Sequence, residues 1–293
     1  VKSIVTHRGD FLLLAPKLRT ETFDLVIADP PYWKVLGEAW DYEWRTKDDY
    51  FAWSARWLDE TTRVLRLGGT IFVFGYFRML ARLSLLLEER GFLVRQEILV
   101  DKGKRAIAGR ATRGYQLWPN TSESILFAVR NSRPFIAQML RARQQELGLT
   151  ARQMNNALGV KANGGGMWSI LTADNVCGQV PTREMWGKLQ ETLSFDLAYE
   201  RVAPTFNAAL GATSIWTDFD FYAEKRIHPA QKPLPLIERL ITSCSNPGDR
   251  ILDPFAGSGQ TGIAAQRLER CAVLFEKDAA MYTKMETRIA CLT

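Results

Sequence analysis

Soft metal ligands are scarce in this 293-residue chain, which carries two histidines, His7 and His228, and four cysteines, Cys177, Cys244, Cys271 and Cys291, with no C-x-x-C pair. That scarcity argues against a zinc site or any other metal and offers no disulfide framework, so a reducing cytoplasm is the expected compartment. No uninterrupted apolar stretch reaches membrane-spanning length, and the first residues lack the charged-then-apolar pattern of a secretory signal; a soluble protein with no membrane partner is expected. Internal repeats and low-complexity tracts are also missing, and the 46% hydrophobic content is that of a globular chain rather than a disordered one. Acid is the minority charge: Lys and Arg outnumber Asp and Glu by 38 to 32, a net +6 that suits a polyanionic partner. The excess is local, with ten basic residues against three acidic ones between Asp101 and Arg152.

What is present begins with Asp29-Pro30-Pro31-Tyr32 at the end of the apolar run Phe23 to Ala28. The run reads as a buried strand that a proline pair cannot continue, so an acid, a rigid turn and an aromatic ring arrive together at a strand's carboxyl end. This trio suits a flat ring bearing an amine. The Asp29 carboxylate and the Pro30 carbonyl can each accept a hydrogen bond from an exocyclic NH2, and the Tyr32 face can stack on the ring, with Trp33 and Trp40 as further walls.

Short β-rich runs at Ser3 to Thr6, Leu25 to Ala28, Thr70 to Phe74, Leu93 to Val100 and Ser124 to Val129 alternate with helical stretches at Asp48 to Leu65, ended by Gly68-Gly69, and Arg78 to Glu89. This rhythm predicts an α/β fold with a mostly parallel sheet. Residues 135–203 break it with helical signals only: Gln138 to Leu147, Thr150 to Leu158, Met167 to Ile170 and Thr182 to Leu193. Three segments follow: 1–134, the helical insert 135–203, and 204–293, which opens with a loop.

Near the end, the strand Arg250 to Phe255, the turn Ala256-Gly257-Ser258-Gly259, the helix Gln260 to Glu269 and the strand Cys271 to Phe275 before Glu276 form a βαβ unit. Its backbone NH groups can face a ligand at a helix N-terminus, and the acid at the next strand's end can chelate two ribose hydroxyls. Gly257 to Gly262 also matches the G-x-G-x-x-G dinucleotide fingerprint. A dinucleotide fold, however, opens with this unit, and here it comes last. The order is that of a circularly permuted Rossmann-like sheet with the ligand half at the end.

Taken together, Asp29-Pro30-Pro31-Tyr32 early, His228-Pro229-Ala230-Gln231-Lys232-Pro233 late, then Asp253 to Gly259 and Phe275-Glu276 resemble the β-class amino DNA methyltransferases. The resemblance spans some two-thirds of the chain, in the order catalytic half, target-recognition insert, cofactor half. It implies S-adenosylmethionine as cofactor and double-stranded DNA as partner. Asp29, Pro30, Pro31 and Tyr32 would be catalytic. Phe255, Ala256, Gly257, Ser258 and Gly259 would line the methionine moiety beside Asp29 and Asp253, Glu276 would hold the ribose, and Lys232 would lie near the cofactor carboxylate. Asp10 matches the family acid on the cofactor's adenine amine; a helix N-cap before Phe11 is its alternative reading. His228 reads as a turn residue or a direct contact. Gln260 departs from the family, which commonly has Thr there. Many members form dimers, so a homodimer is expected on the same ground.

The implied reaction is direct in-line methyl transfer to the N6 amine of a flipped-out adenine. Cytosine-N4 is the nearest alternative; Asp rather than Ser before Pro-Pro leans toward adenine within the family. Cytosine-C5 chemistry falls, because its nucleophile sits in a Pro-Cys pair and the four cysteines here follow Val, Ser, Arg and Ala. A DNA-binding regulator with an inactive methyltransferase fold is the alternative from another class. The insert resembles the helix-turn-helix of small repressors and offers Arg152, Gln153, Asn155, Asn156 and Lys161, beside Arg110 and Arg113 upstream, as DNA contacts. A helical insertion that merely packs on the core is the other reading.

Overall fold

The computed structural model describes residues 3–35, 39–107, 118–160, 166–173, 175, 177–207 and 212–291. In chain order the elements begin β1 (Ile4–Arg8), α1 (Phe11–Leu14), β2 (Phe23–Ala28), α2 (Lys47–Val64), β3 (Leu65–Gly75), α3 (Phe77–Glu89), β4 (Phe92–Asp101) and β5 (Ser122–Arg130). Four helices follow, α4 (Arg133–Glu146), α5 (Ala151–Ala157), α6 (Gly166–Leu171) and α7 (Arg183–Leu193). The chain then runs through β6 (Ile215–Trp216), α8 (Leu234–Cys244), β7 (Arg250–Asp253), α9 (Gln260–Arg267), β8 (Cys271–Glu276) and α10 (Ala279–Ala290). It divides into two compact units, Val1–Arg130 with Thr205–Thr293, and Asn131–Pro204.

The first unit is an eight-stranded sheet in the order β1-β8-β7-β2-β3-β5-β4-β6. All its pairings are parallel except those of β5, which runs antiparallel to both β3 and β4. The expected α/β, mostly parallel, permuted sheet is therefore present: β2 is paired on one side by β3, which follows it, and on the other by β7, more than two hundred residues later. β2 is buried along nearly its whole length, as the continuous run Leu25-Val26-Ile27-Ala28 requires of a strand covered on both faces. The two apolar layers flanking the sheet are built largely from α8, α9 and α10 on one face and α1, α2 and α3 on the other.

Gly68 and Gly69 do not end a helix. α2 stops at Val64 because Leu65 turns extended and pairs with Phe23, and both glycines lie inside β3. Gly68 takes φ +72 close to where the β2–β3 register shifts, and a Cβ on Gly69 would stand 2.6 Å from Leu65 Cδ1. Backbone irregularity and close approach, rather than capping, call for glycine here. β6, α8 and α10 add to the elements expected from the sequence.

The second unit is helical among its described residues, with its own core of Ile136, Leu140, Met154, Trp168, Trp186 and Leu189. Its first helix starts five residues before the expected Gln138, with Pro134 in the first turn, where a missing NH costs nothing. α5 opens on a capping box in which Thr150 Oγ1 accepts from the Gln153 NH and Gln153 Oε1 accepts from the Thr150 NH. No helix among the described residues is long and apolar enough to cross a membrane.

Candidate active site

Parallel strands deliver their carboxyl ends to one edge of the sheet, and there four acids gather: Asp10 after β1, Asp29 after β2, Asp253 at the end of β7 and Glu276 at the end of β8. The antiparallel course of β5 brings its beginning to the same edge, so Glu123 joins them, and the end of β4 brings Lys102. Lys232 reaches in from the turn before α8.

Asp29, Glu123, Lys102 and Lys232 form one buried polar cluster around Tyr32. Tyr32 is 7% exposed, and its hydroxyl lies 2.6 Å from Asp29 Oδ1 and 2.7 Å from Glu123 Oε1. Lys232 Nζ donates to Asp29 Oδ2 at 2.7 Å and to the Tyr32 oxygen at 3.1 Å, and stands 3.7 Å from Glu123 Oε1. Lys102 Nζ closes the cluster 3.4 Å from Glu123 Oε2. Burial pushes the Glu123 carboxyl up, but Lys232, Lys102 and the Tyr32 hydroxyl outweigh it and hold it below the usual carboxylate range. Burial likewise lowers the Lys232 ammonium, yet Asp29 and Glu123 prevail and it stays above its ordinary value. Burial, Asp29 and Glu123 all raise Tyr32, which keeps its proton.

Beyond Tyr32 the backbone takes two consecutive left-handed residues, Trp33 at φ +58 and Lys34 at φ +59. Non-glycine residues adopt this conformation at a cost, and here it is held by bonds from Trp33 Nε1 to the Trp44 carbonyl and from the Lys34 NH to the Asp41 carbonyl.

Two cavities meet at this cluster and share the wall formed by Tyr32, Pro229, Ala230, Gln231 and Lys232. One, of about 730 Å3, runs along the strand ends past Asp10, Asp29, Asp253, Phe255, Gly257 and Glu276. Asp253 is consumed inside the turn: its Oδ1 accepts from the Phe255 NH and its Oδ2 from Thr261 Oγ1, and burial raises its pKa to about 7. Glu276 Oε2 accepts from the Gly257 NH at 2.8 Å and Oε1 from the Asp278 NH, while burial raises this carboxyl as well. Gly257 at φ +49 and Gly259 at φ +78 both need the left-handed region, and a Cβ on Gly259 would sit 2.8 Å from Met285 Cγ. Asp10 both caps α1, accepting from the Leu12 NH at 2.8 Å, and lines the cavity.

The other cavity, of about 830 Å3, lies beyond the shared wall and is lined by Trp33, Tyr76, Phe77 and Tyr222. Its surround is basic, with Lys34, Lys47, Arg78, Lys102 and Arg226, and Glu123 is the acid among its lining residues. Phe77 is 71% exposed at its edge.

The structure brings together Asp29, Pro30, Pro31, Tyr32 and Lys232, and around one cavity Asp10, Asp253, Phe255, Ala256, Gly257, Ser258 and Glu276; Gly259 stands behind the turn as the N-cap of α9. The Lys232 ammonium rests on Asp29. Gln260, the departure from the family pattern, is buried and donates through Nε2 to Glu224 Oε2 and the Lys232 carbonyl. In the helical unit Arg152, Gln153 and Asn156 are exposed. Asn155 is turned inward, 4% exposed, its Oδ1 accepting from the Trp168 NH, so its amide serves the unit's own fold rather than an outside partner. Arg110, Arg113, Lys161 and the Trp40 side chain lie outside the described residues. Glu123, Lys102 and the basic cavity edge carry no motif; Glu123 stands as a lone acid before the apolar run Ile125 to Val129, and Lys102 belongs to the local excess of basic residues.

A DNA methylase family profile matches residues 23–286. The chain is 24% identical over 288 residues to the Type II methyltransferase M2.DpnII of Streptococcus pneumoniae, covering 92% of this chain and 82% of that one. Its fold is similar to that of M1.HpyAVI, solved as a complex with SAM (TM-score 0.57, 19% identity, 97% of this chain and 99% of that one). It is also similar to that of PvuII DNA methyltransferase, which is cytosine-N4-specific (TM-score 0.62, 13% identity, 98% of this chain and 88% of that one). Among the described residues no group of three or more His, Cys, Asp or Glu side chains is placed to hold a metal.

Proposed function

The chain belongs to the N6/N4 DNA methylase family, and on that premise we propose that it methylates the N6 amine of adenine at a specific site in duplex DNA. S-adenosylmethionine is its cofactor and supplies a methyl group on a positively charged sulfur. The smaller cavity fits that group: its volume suits a nucleoside-sized ligand, Glu276 offers a carboxylate where ribose hydroxyls would lie, and glycine keeps the turn free of side chains.

One observation carries the reading. The Asp29 carboxylate stands where the two cavities meet, bonded to Tyr32 and Lys232 in their common wall. An aromatic amine is a poor nucleophile because its lone pair is delocalised into the ring. Asp29 and the Pro30 carbonyl, accepting one hydrogen bond each, draw the nitrogen toward tetrahedral geometry and free that pair for in-line attack. Such a pocket cannot reach an amine inside a duplex, so the base must leave the stack, and the larger, aromatic-lined cavity with its basic edge is the place for it. Asp ahead of Pro-Pro favours adenine. The exposed Arg152, Gln153 and Asn156 of the helical unit supply target recognition in this reading.

Incubation with methyl-labelled cofactor and DNA from a host lacking methylation, followed by mass spectrometry of the nucleosides, tests it. N6-methyladenine is the expected product; N4-methylcytosine would move the target to cytosine, and no modified base would overturn the reading. Asp29→Ala should abolish transfer while cofactor binding, followed by calorimetry, persists.

A further inference from the structure

Both oxygens of Asp29 have a donor within hydrogen-bond reach, the Tyr32 hydroxyl at Oδ1 and the Lys232 ammonium at Oδ2. A carboxylate so occupied is a weakened acceptor for an incoming amine. The Tyr32 oxygen has three close polar neighbours, Asp29 Oδ1 at 2.6 Å, Glu123 Oε1 at 2.7 Å and Lys232 Nζ at 3.1 Å. Lys232 donates to it, and the hydroxyl carries one proton for two carboxylates. The phenol can therefore serve Asp29 or Glu123, not both at once.

We infer that Glu123 is a positioning residue for methyl transfer: when the base amine arrives, the Tyr32 hydroxyl turns its hydrogen bond from Asp29 Oδ1 to Glu123 Oε1, leaving Asp29 free to accept from the amine. The inference rests on the function proposed above and extends it to a residue outside every motif of the site. The exchange needs rotation about the phenol C–O bond and no heavy-atom movement, since both acceptors already lie within hydrogen-bond distance. It leaves no stranded charge. Asp29 and Glu123 are matched by Lys232 and Lys102, and the cluster stays balanced with the proton on either side. Glu123 is 9% exposed, and an ionised acid is costly to bury unless its partners repay it. Lys102 and Lys232 answer its charge; its approach to the phenol is the feature the exchange uses.

Glu123→Asp tests this, because it keeps the charge that both lysines need and withdraws the acceptor from the phenol by one methylene. On the full-length protein, with DNA from a methylation-free host, kcat should fall about tenfold, the worth of one buried hydrogen bond, with the cofactor KM unchanged within about twofold. Glu123→Gln keeps an acceptor oxygen at full length, so its kcat should fall less, while the charge it removes from the two lysines shows as a lower Tm. In a Tyr32→Phe background, where no hydroxyl burdens Asp29, the further step Glu123→Asp should cost less than about threefold. An equal loss in both backgrounds would assign Glu123 a purely structural role, and wild-type kcat in Glu123→Asp would overturn the inference. The parent reading fails separately, by the wild-type protein transferring no methyl group to DNA at all.

Discussion

Replacing Lys232 by methionine removes one charge from the centre of the site while keeping the side chain's length and apolar stem. The ammonium is 7% exposed and lies 2.7 Å from Asp29 and 3.7 Å from Glu123, so its loss leaves two carboxylates facing each other across Tyr32. Breaking a buried ion pair by deleting one partner costs about 3–5 kcal/mol. Asp29 is 23% exposed and Lys102 remains on Glu123, which places the expected loss at the low end, about 3 kcal/mol. In a domain of this size that is a fall in Tm of roughly 6 °C near pH 7.5. The pH dependence has a definite sign. In the wild type Glu123 titrates below its ordinary range, so its contribution to stability is present above the unfolded pKa and is lost as pH falls through the lower folded value. In Lys232→Met the effect of burial is opposed mainly by Lys102, the folded carboxyl moves up, and the folded state takes up protons more readily than the unfolded one. The deficit against wild type should therefore narrow as pH falls from about 7.5 to about 5. Differential scanning calorimetry of both proteins across that range measures it. Equal Tm values, or a deficit that widens on acidification, would refute the charge balance described for the cluster.

Gly259→Ala should lower stability by at least about 1–2 kcal/mol, since φ +78 is costly with a Cβ and that Cβ would press on Met285. Gly257→Ala meets nothing nearer than the His228 ring at 3.8 Å, so calorimetry should show a smaller loss of Tm and a larger loss of cofactor affinity. Asp253, raised to about 7 by burial, contributes stability that is full below its unfolded pKa of about 3.8 and is lost as pH rises through about 7; Asp253→Asn should flatten that fall in a Tm-versus-pH series. Exchanging Asn131–Pro204 for the helical unit of a relative with another target should change which site is methylated, read by long-read sequencing; an unchanged site would place recognition elsewhere.

Much of the site was legible because it hangs on parallel strands. Asp29 and Glu276 each follow a short apolar run, and a turn residue or a new helix comes next, so period and punctuation alone place them at strand ends. Glu123 and Lys102 escaped for a topological reason: the beginning of β5 meets the end of β4 at the active edge because β5 runs antiparallel, and strand direction leaves no mark in composition. Lys232 was expected toward the cofactor, and its position on Asp29 depends on a turn held by Gln260 from α9, a contact between distant segments. Gly68-Gly69 misled because a glycine pair after a helix reads as its end, whereas the pairing of Leu65 with Phe23 had already begun the strand. Asn155 looked like a surface amide, and packing turned it to Trp168.

The permuted order of strands has a consequence for how the protein is made. On the ribosome β2 emerges early and finds β3 at once, yet its other edge waits for Ile251 and Leu252, and β1 has no strand beside it until β8 appears. Until β7, the glycine turn and β8 are synthesised, a nascent chain carries the Asp29 corner on an open edge with no glycine turn opposite. A chain lacking β7 and β8 thus has no partner for β1 or for the second edge of β2, and its Asp29 corner has no cavity opposite to close against.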